Sequence, residues 1–206
     1  MRVGKHRRRP RSPRSRPPHP NDENKGTPVN FLRAVAAIAL IVVSAAAVHA
    51  EQIVHRTAVP AGEAAATGGT FSITFPVSFA DAEVRTEDPP APTQVTHLLT
   101  GHDPEGLRVS AMEMTGIEHP PPIEGAMEGA AKARPGTTVS DVSRAEKDGM
   151  TTLSFALTDA KGGSYFRVIR TPRAQYLLVV QFPEAIRARA TLVRDGYFAS
   201  FKLTRP

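Results

Sequence analysis

The residues able to do chemistry are few and scattered. Outside the first fifty residues the histidines are His55, His97, His102 and His119. A catalytic zinc site needs three such ligands converging on an open position, and no HExxH or other compact ligand spacing occurs. Exposed loop histidines are therefore the expectation, with no metal. There is no cysteine, which removes disulfides, thiolate metal sites and cysteine nucleophiles together. It also removes a lipidated N-terminus, whose lipid is carried on a cysteine at the cleavage site. No serine stands in a GxSxG elbow, so a serine hydrolase would have to assemble its site from distant residues. Lys161-Gly162-Gly163-Ser164 has the composition of a hairpin turn and not of a phosphate loop. No catalytic residue and no cofactor is expected from these patterns.

The densest functional signal is cationic. Arg167, Arg170, Arg173, Arg187, Arg189 and Arg194 fall within twenty-eight residues, with Glu184 and Asp195 as the nearby acids. On a helix beginning near Glu184, Arg187, Arg189 and Arg194 form the candidate binding surface, suited to an anionic lipid, glycan or acidic partner. The ordinary alternative for such a run is a solvated helix face and strand ends.

These residues are positioned by a chain in two unlike parts. The stretch Ala34–Val48 has fifteen uncharged residues between Arg33 and His49. As a helix it reaches about 22 Å, short of a bilayer core of about 30 Å. It has the length of a secretory h-region, and Val48-His49-Ala50 sets small residues at −3 and −1 of a cleavage site after Ala50. Residues 31–50 thus read as a signal peptide or, uncleaved, as a single-pass inner-membrane anchor. Residues 1–30 are Pro- and Arg-rich with almost no aliphatic content, a composition that stays disordered. They read as a basic arm or an extended n-region. Alternatively they lie upstream of a start codon at Val29, which would leave an ordinary leader.

The net charge of +6 divides along the same line. Residues 1–50 hold ten Lys or Arg and two acids, whereas residues 51–206 hold sixteen and eighteen. The exported part is slightly acidic, which speaks against nucleic acid as its partner. Its 156 residues match one domain with a real core.

Within it, the Ala- and Gly-rich stretch 51–69 reads as a linker, with the domain proper at 70–206. Phe71, Ile73 and Phe75 alternate with polar residues as a half-buried strand ended by Pro76, and Phe79 follows as a core anchor. Residues 88–92 make a turn, 93–99 and 107–114 make strands, and 123–133 a short helix. Asp148-Gly149 signals a hairpin between 139–146 and 150–158. Two more turns lead to strands 164–171 and 175–182, giving a four-strand meander. Residues 176–182 are apolar on both faces, which places that strand centrally with cover on each side. Pro183 and Glu184 open a helix whose Ile186, Ala190, Val193 and Tyr197 make one apolar stripe. The expected fold class is α+β, an antiparallel sheet flanked by helices.

The segments TFSITFPVSF, SYFRVIRTPRAQYLLVVQFP and GYFASFKL, in that order, resemble PsbP-like domains over residues 70–203. That superfamily includes a photosystem II extrinsic subunit, a Ran-binding import factor and bacterial exported lipoproteins. The resemblance implies an α/β/α sandwich with a binding or assembly role, and it transfers no functional residue. The expected function is an exported, non-catalytic binding or assembly domain of the bacterial cell envelope, periplasmic or secreted. Its partner is an envelope protein or an anionic ligand, with membrane contact only through residues 31–50 if they are retained. The alternatives are an inner-membrane-anchored accessory protein with the same domain outside and, less favoured, a hydrolase with a dispersed site.

Overall fold

Strand Gln175–Pro183 (β10) has Leu177 and Val179 on one face and Tyr176, Leu178 and Val180 on the other, all buried. That two-sided burial requires neighbours on both edges and cover on both faces. The computed structural model, which describes residues 49–87, 92–117 and 120–204, supplies each of them. β10 pairs antiparallel with Arg108–Thr115 (β6) and Gly162–Arg170 (β9). Outward from β9 lie Met150–Asp159 (β8) and the edge strand Thr138–Lys147 (β7), the meander read from the turns. Outward from β6 lie Gln94–His102 (β5), Phe79–Glu87 (β4) and His49–Val59 (β1). All eight strands are antiparallel neighbours in one sheet.

The remaining elements cover this sheet. Gly62–Ala65 (β2), Phe71–Phe75 (β3) and Lys202–Leu203 (β11) form a second sheet of three strands. Together with helix Arg187–Ala199 (α2), which follows a 3-10 turn at Glu184–Ile186, it closes over one face. Phe71, Ile73 and Phe75 pack there against Leu178 and Val180, with Ala190, Tyr197 and Phe198. Helix Glu124–Ala133 (α1) covers part of the other face, where Ile123 and Ala130 join Leu153, Phe155, Leu177 and Val179.

Three expectations change. Strand accounts for 57% of the described residues beside two short helices, so the molecule is mainly antiparallel sheet and not an even α+β mixture. The stretch 51–69 is not a plain linker, because most of β1 and all of β2 lie in it. Its Ala and Gly content hid an edge strand, whose burial pattern is weak because one side meets solvent. Residues 79–87 also form a strand, unseen because Asp81, Glu83 and Arg85 stand where alternation demands apolar groups. The basic tail 1–30, the h-region 34–48, the turn residues 88–91 and His119 lie outside the described residues.

Candidate functional site

Residues directly opposite one another in register run from edge to edge of the large sheet as Ser143, Ser154, Arg167, Leu178, Ala111, Leu99, Asp81 and Arg56. The middle of this row is apolar core. Arg167 stands at the boundary, on the face that Tyr165 and Ile169 share with the core. A guanidinium there is costly unless it is fully bonded. Nε of Arg167 donates to Ser154 Oγ at 3.1 Å and Nη1 to the Phe198 carbonyl at 3.3 Å. Among the described residues it has no ion pair, and Nη2 donates to nothing. Burial pushes its pKa below the usual arginine value, and the neighbouring charge of Arg194 pushes the same way.

Arg194 comes to the same place from α2. Its Nε donates to Asp195 Oδ1 at 2.8 Å. Each guanidinium is stacked on a ring: Arg167 lies 4.8 Å from the centroid of Phe198 and Arg194 4.7 Å from that of Tyr165. Such stacking fixes the planes of long side chains that would otherwise sweep many rotamers. The two cations line a cleft of about 300 Å³ between α2 and the β7 edge. Asp141, Ser143 and Ser154 complete its polar lining. Asp141 sits in a bulge between Ser140 and Ser143 and has φ +53°, a left-handed conformation uncommon outside glycine. Bulges and strained backbone of this kind gather where a side chain must be re-aimed. Among the described residues no histidine lines the cleft.

The candidate surface of Arg187, Arg189 and Arg194 is divided by this geometry. Arg187 is held by Glu184, with Nε 2.9 Å from the carboxylate. Arg189 is held by Asp103 at 2.6 Å and Glu105 at 2.8 Å. All three charges have a local acid, Arg194 through Asp195, and of the three Arg194 alone also joins another cation. Arg167 was legible in principle: in Tyr165–Ile169 both faces are apolar except for this one residue. Asp141 carries no sequence signal, since the bulge arises from pairing.

A second polar cluster lies at the far end of the same face, under the turn from β2 to β3. Asp81 is fully buried and accepts from Arg56 Nε at 2.9 Å and Thr67 Oγ1 at 2.6 Å. Glu113, equally buried, accepts from the Thr70 amide and hydroxyl, both at 2.6 Å, and the same hydroxyl meets Tyr176 Oη at 2.8 Å. A Cβ on Gly69 would stand 2.9 Å from Glu113 Oε2, so the turn approaches closely because that residue has no side chain. Glu83 is bonded by Arg85, which holds its carboxyl below the usual range. His97 is buried beside it, with Nδ1 3.6 Å from Glu83 Oε2 and no hydrogen-bond partner. His97 is therefore a core strand residue and not an exposed loop histidine. The carboxylates are consumed in holding the turn and in ion pairs, and no group of His, Asp and Glu among the described residues could hold a metal ion.

No described helix is long and apolar enough to cross a membrane. The chain matches no protein-family model, no curated protein and no solved structure.

Proposed function

We propose that residues 51–206 form a non-catalytic binding domain that works in the cell envelope and takes an anionic ligand in the cleft of Arg167 and Arg194. The observation that carries this reading is Arg167, a half-buried guanidinium with a free Nη2 and a second cation beside it. A bound oxyanion would accept from both guanidiniums and offset their mutual repulsion. The short h-region before Ala50 and the PsbP-like resemblance support the compartment and the non-catalytic role. The slightly acidic domain charge supports a local anion site and not a nucleic-acid surface. Residues 31–50 serve as a cleaved signal peptide, and Ala50→Leu blocks processing because the peptidase pocket takes only a small −1 side chain.

Calorimetric titration of the full chain with glutarate, sulfate and phosphate tests the site. Saturable binding is expected to disappear in Arg167→Gln and Arg194→Gln and to survive in Arg187→Gln and Arg189→Gln. Equal binding by all four variants would remove the cleft from consideration. The anchored alternative is distinguished by the mass of the envelope-localised protein, which retains residues 31–50 if no peptidase acts.

A further inference from the structure

The cleft is open along the edge of the sheet. Arg167 lies two strands in from β7 and so about 14 Å from a strand added to that edge, within the summed reach of an extended glutamate and an arginine side chain, and the two residues between it and the edge are Ser143 and Ser154. Both are small and both share the face of Arg167, so they floor a low trough from the edge to the guanidinium. β7 is exposed along nearly its whole length and pairs on one side only. From Ser143 to Lys147 its ladder to β8 is regular, which leaves the opposite backbone groups in line to receive another strand. Val139 and Val142, 38% and 53% exposed, lie on the same strand outside that regular stretch, Val139 before the bulge and Val142 within it.

The charges of the cleft narrow the ligand. Asp141 and Asp195 line the cleft together with Arg167 and Arg194, and Asp195 is bonded to Arg194, so the cleft is nearly neutral as a whole. A neutral set with two converging guanidiniums suits one carboxylate better than a phosphate dianion, which would meet both aspartates.

From the open edge, the two-serine trough and this balance, we infer that the ligand is an extended acidic peptide segment. It adds as a strand to β7 and lays one glutamate side chain over Ser143 and Ser154 onto Arg167 and Arg194. This rests on the anion-binding reading above and goes beyond it in naming the source of the carboxylate. Main-chain bonds along Ser143–Lys147 supply the affinity and the cleft supplies the choice of side chain.

The probe is a capped pentapeptide of valine and threonine with one central glutamate, offered to the full chain. It is compared with its glutamine version, a backbone N-methylated version and free glutarate. The glutamate peptide is expected to bind more tightly than glutarate. It should lose about tenfold or more on conversion to glutamine, lose binding on N-methylation, and slow hydrogen exchange at the β7 amides. Arg167→Gln should remove the difference between the glutamate and glutamine peptides. That comparison reads a difference between ligands on one folded variant, so a general loss of stability does not mimic it. Glutarate binding that depends on Arg167, with no gain for the peptide and unchanged β7 exchange, overturns the peptide and leaves the anion site standing. Binding of neither overturns both. Concentration-dependent dimerisation that protects β7 without any peptide gives the edge to a second copy of the chain and likewise overturns the inference.

Discussion

Arg167 carries a desolvation cost inside the fold that holds it. A cation withdrawn from water beside another cation is compensated here by one hydroxyl, one carbonyl and the face of Phe198. Arg167→Met keeps the stem and the contact with the ring while removing the charge. It is expected to raise the unfolding free energy by about 0.5–2 kcal/mol while abolishing anion binding, the usual relation between a functional group and stability. Denaturant melts with and without glutarate check both halves, and a less stable Met variant would show that Arg167 is structural. Glu83 behaves in the opposite sense. The Arg85 hydrogen bond lowers its folded-state pKa below the ordinary 4.5. Its contribution to stability is therefore complete above that value and fades as pH falls through the lower folded-state value. The gap in denaturation midpoint between the wild-type protein and Glu83→Gln should be present at neutral pH and narrow below about 4.5. A gap that widens in acid would reverse the assignment.

At the level of elements, β10 gives the sharpest test. Val179 packs with α1 and β8 residues on one face, and Val180 packs with β3 and α2 residues on the other. Val179→Ala and Val180→Ala should each cost about 1–3 kcal/mol, and one neutral variant would mean that one face of the strand is not truly covered. This strand, the meander and both helices were legible from sequence because their burial follows their period: apolar residues inward, Asp-Gly at the hairpin, proline at the opening of the α2 region. Asp148 at φ +52° and Gly149 at φ +72° are the left-handed pair that such a turn requires. β4 was not legible, because its buried residues include Asp81 and Glu83, and Arg56 and Thr67, the partners of Asp81, lie elsewhere in the chain. β1 and β2 were hidden for a related reason, being short on apolar content and stabilised by pairing. The site was half legible. The arginine cluster marked the region, but Glu184 pairs with Arg187, and Arg189 is paired only because loop Asp103–Glu105 comes up to α2.

For the whole molecule, the place where the domain begins matters most. A chain cut at residue 66 retains all of α1, α2 and the meander, yet it loses β1 and β2. Asp81 would then remain buried without Arg56, and β4 would become a bare edge. Stripping one partner from a fully buried ion pair costs about 3–5 kcal/mol; Arg56 is 44% exposed, so the loss is smaller, but with the bare edge this fragment should still melt below a chain beginning at residue 49, or aggregate. Equal melting of the two would show that β1 is dispensable. The pairing of β1 has one more effect, which concerns force. β1 enters the sheet at His49, opposite Glu87, and leaves it at Val59, opposite Phe79. Tension applied upstream of His49 reaches the ladder at its free end, so the rungs to β4 open in turn and never share the load. Arg56 and Asp81 sit near the last rung. Early peeling therefore leaves the buried carboxylate matched and is reversible, and only the final rungs release the rest of the fold. Where residues 31–50 are retained as an anchor, the tethered domain would thus carry its own strain relief in its first strand.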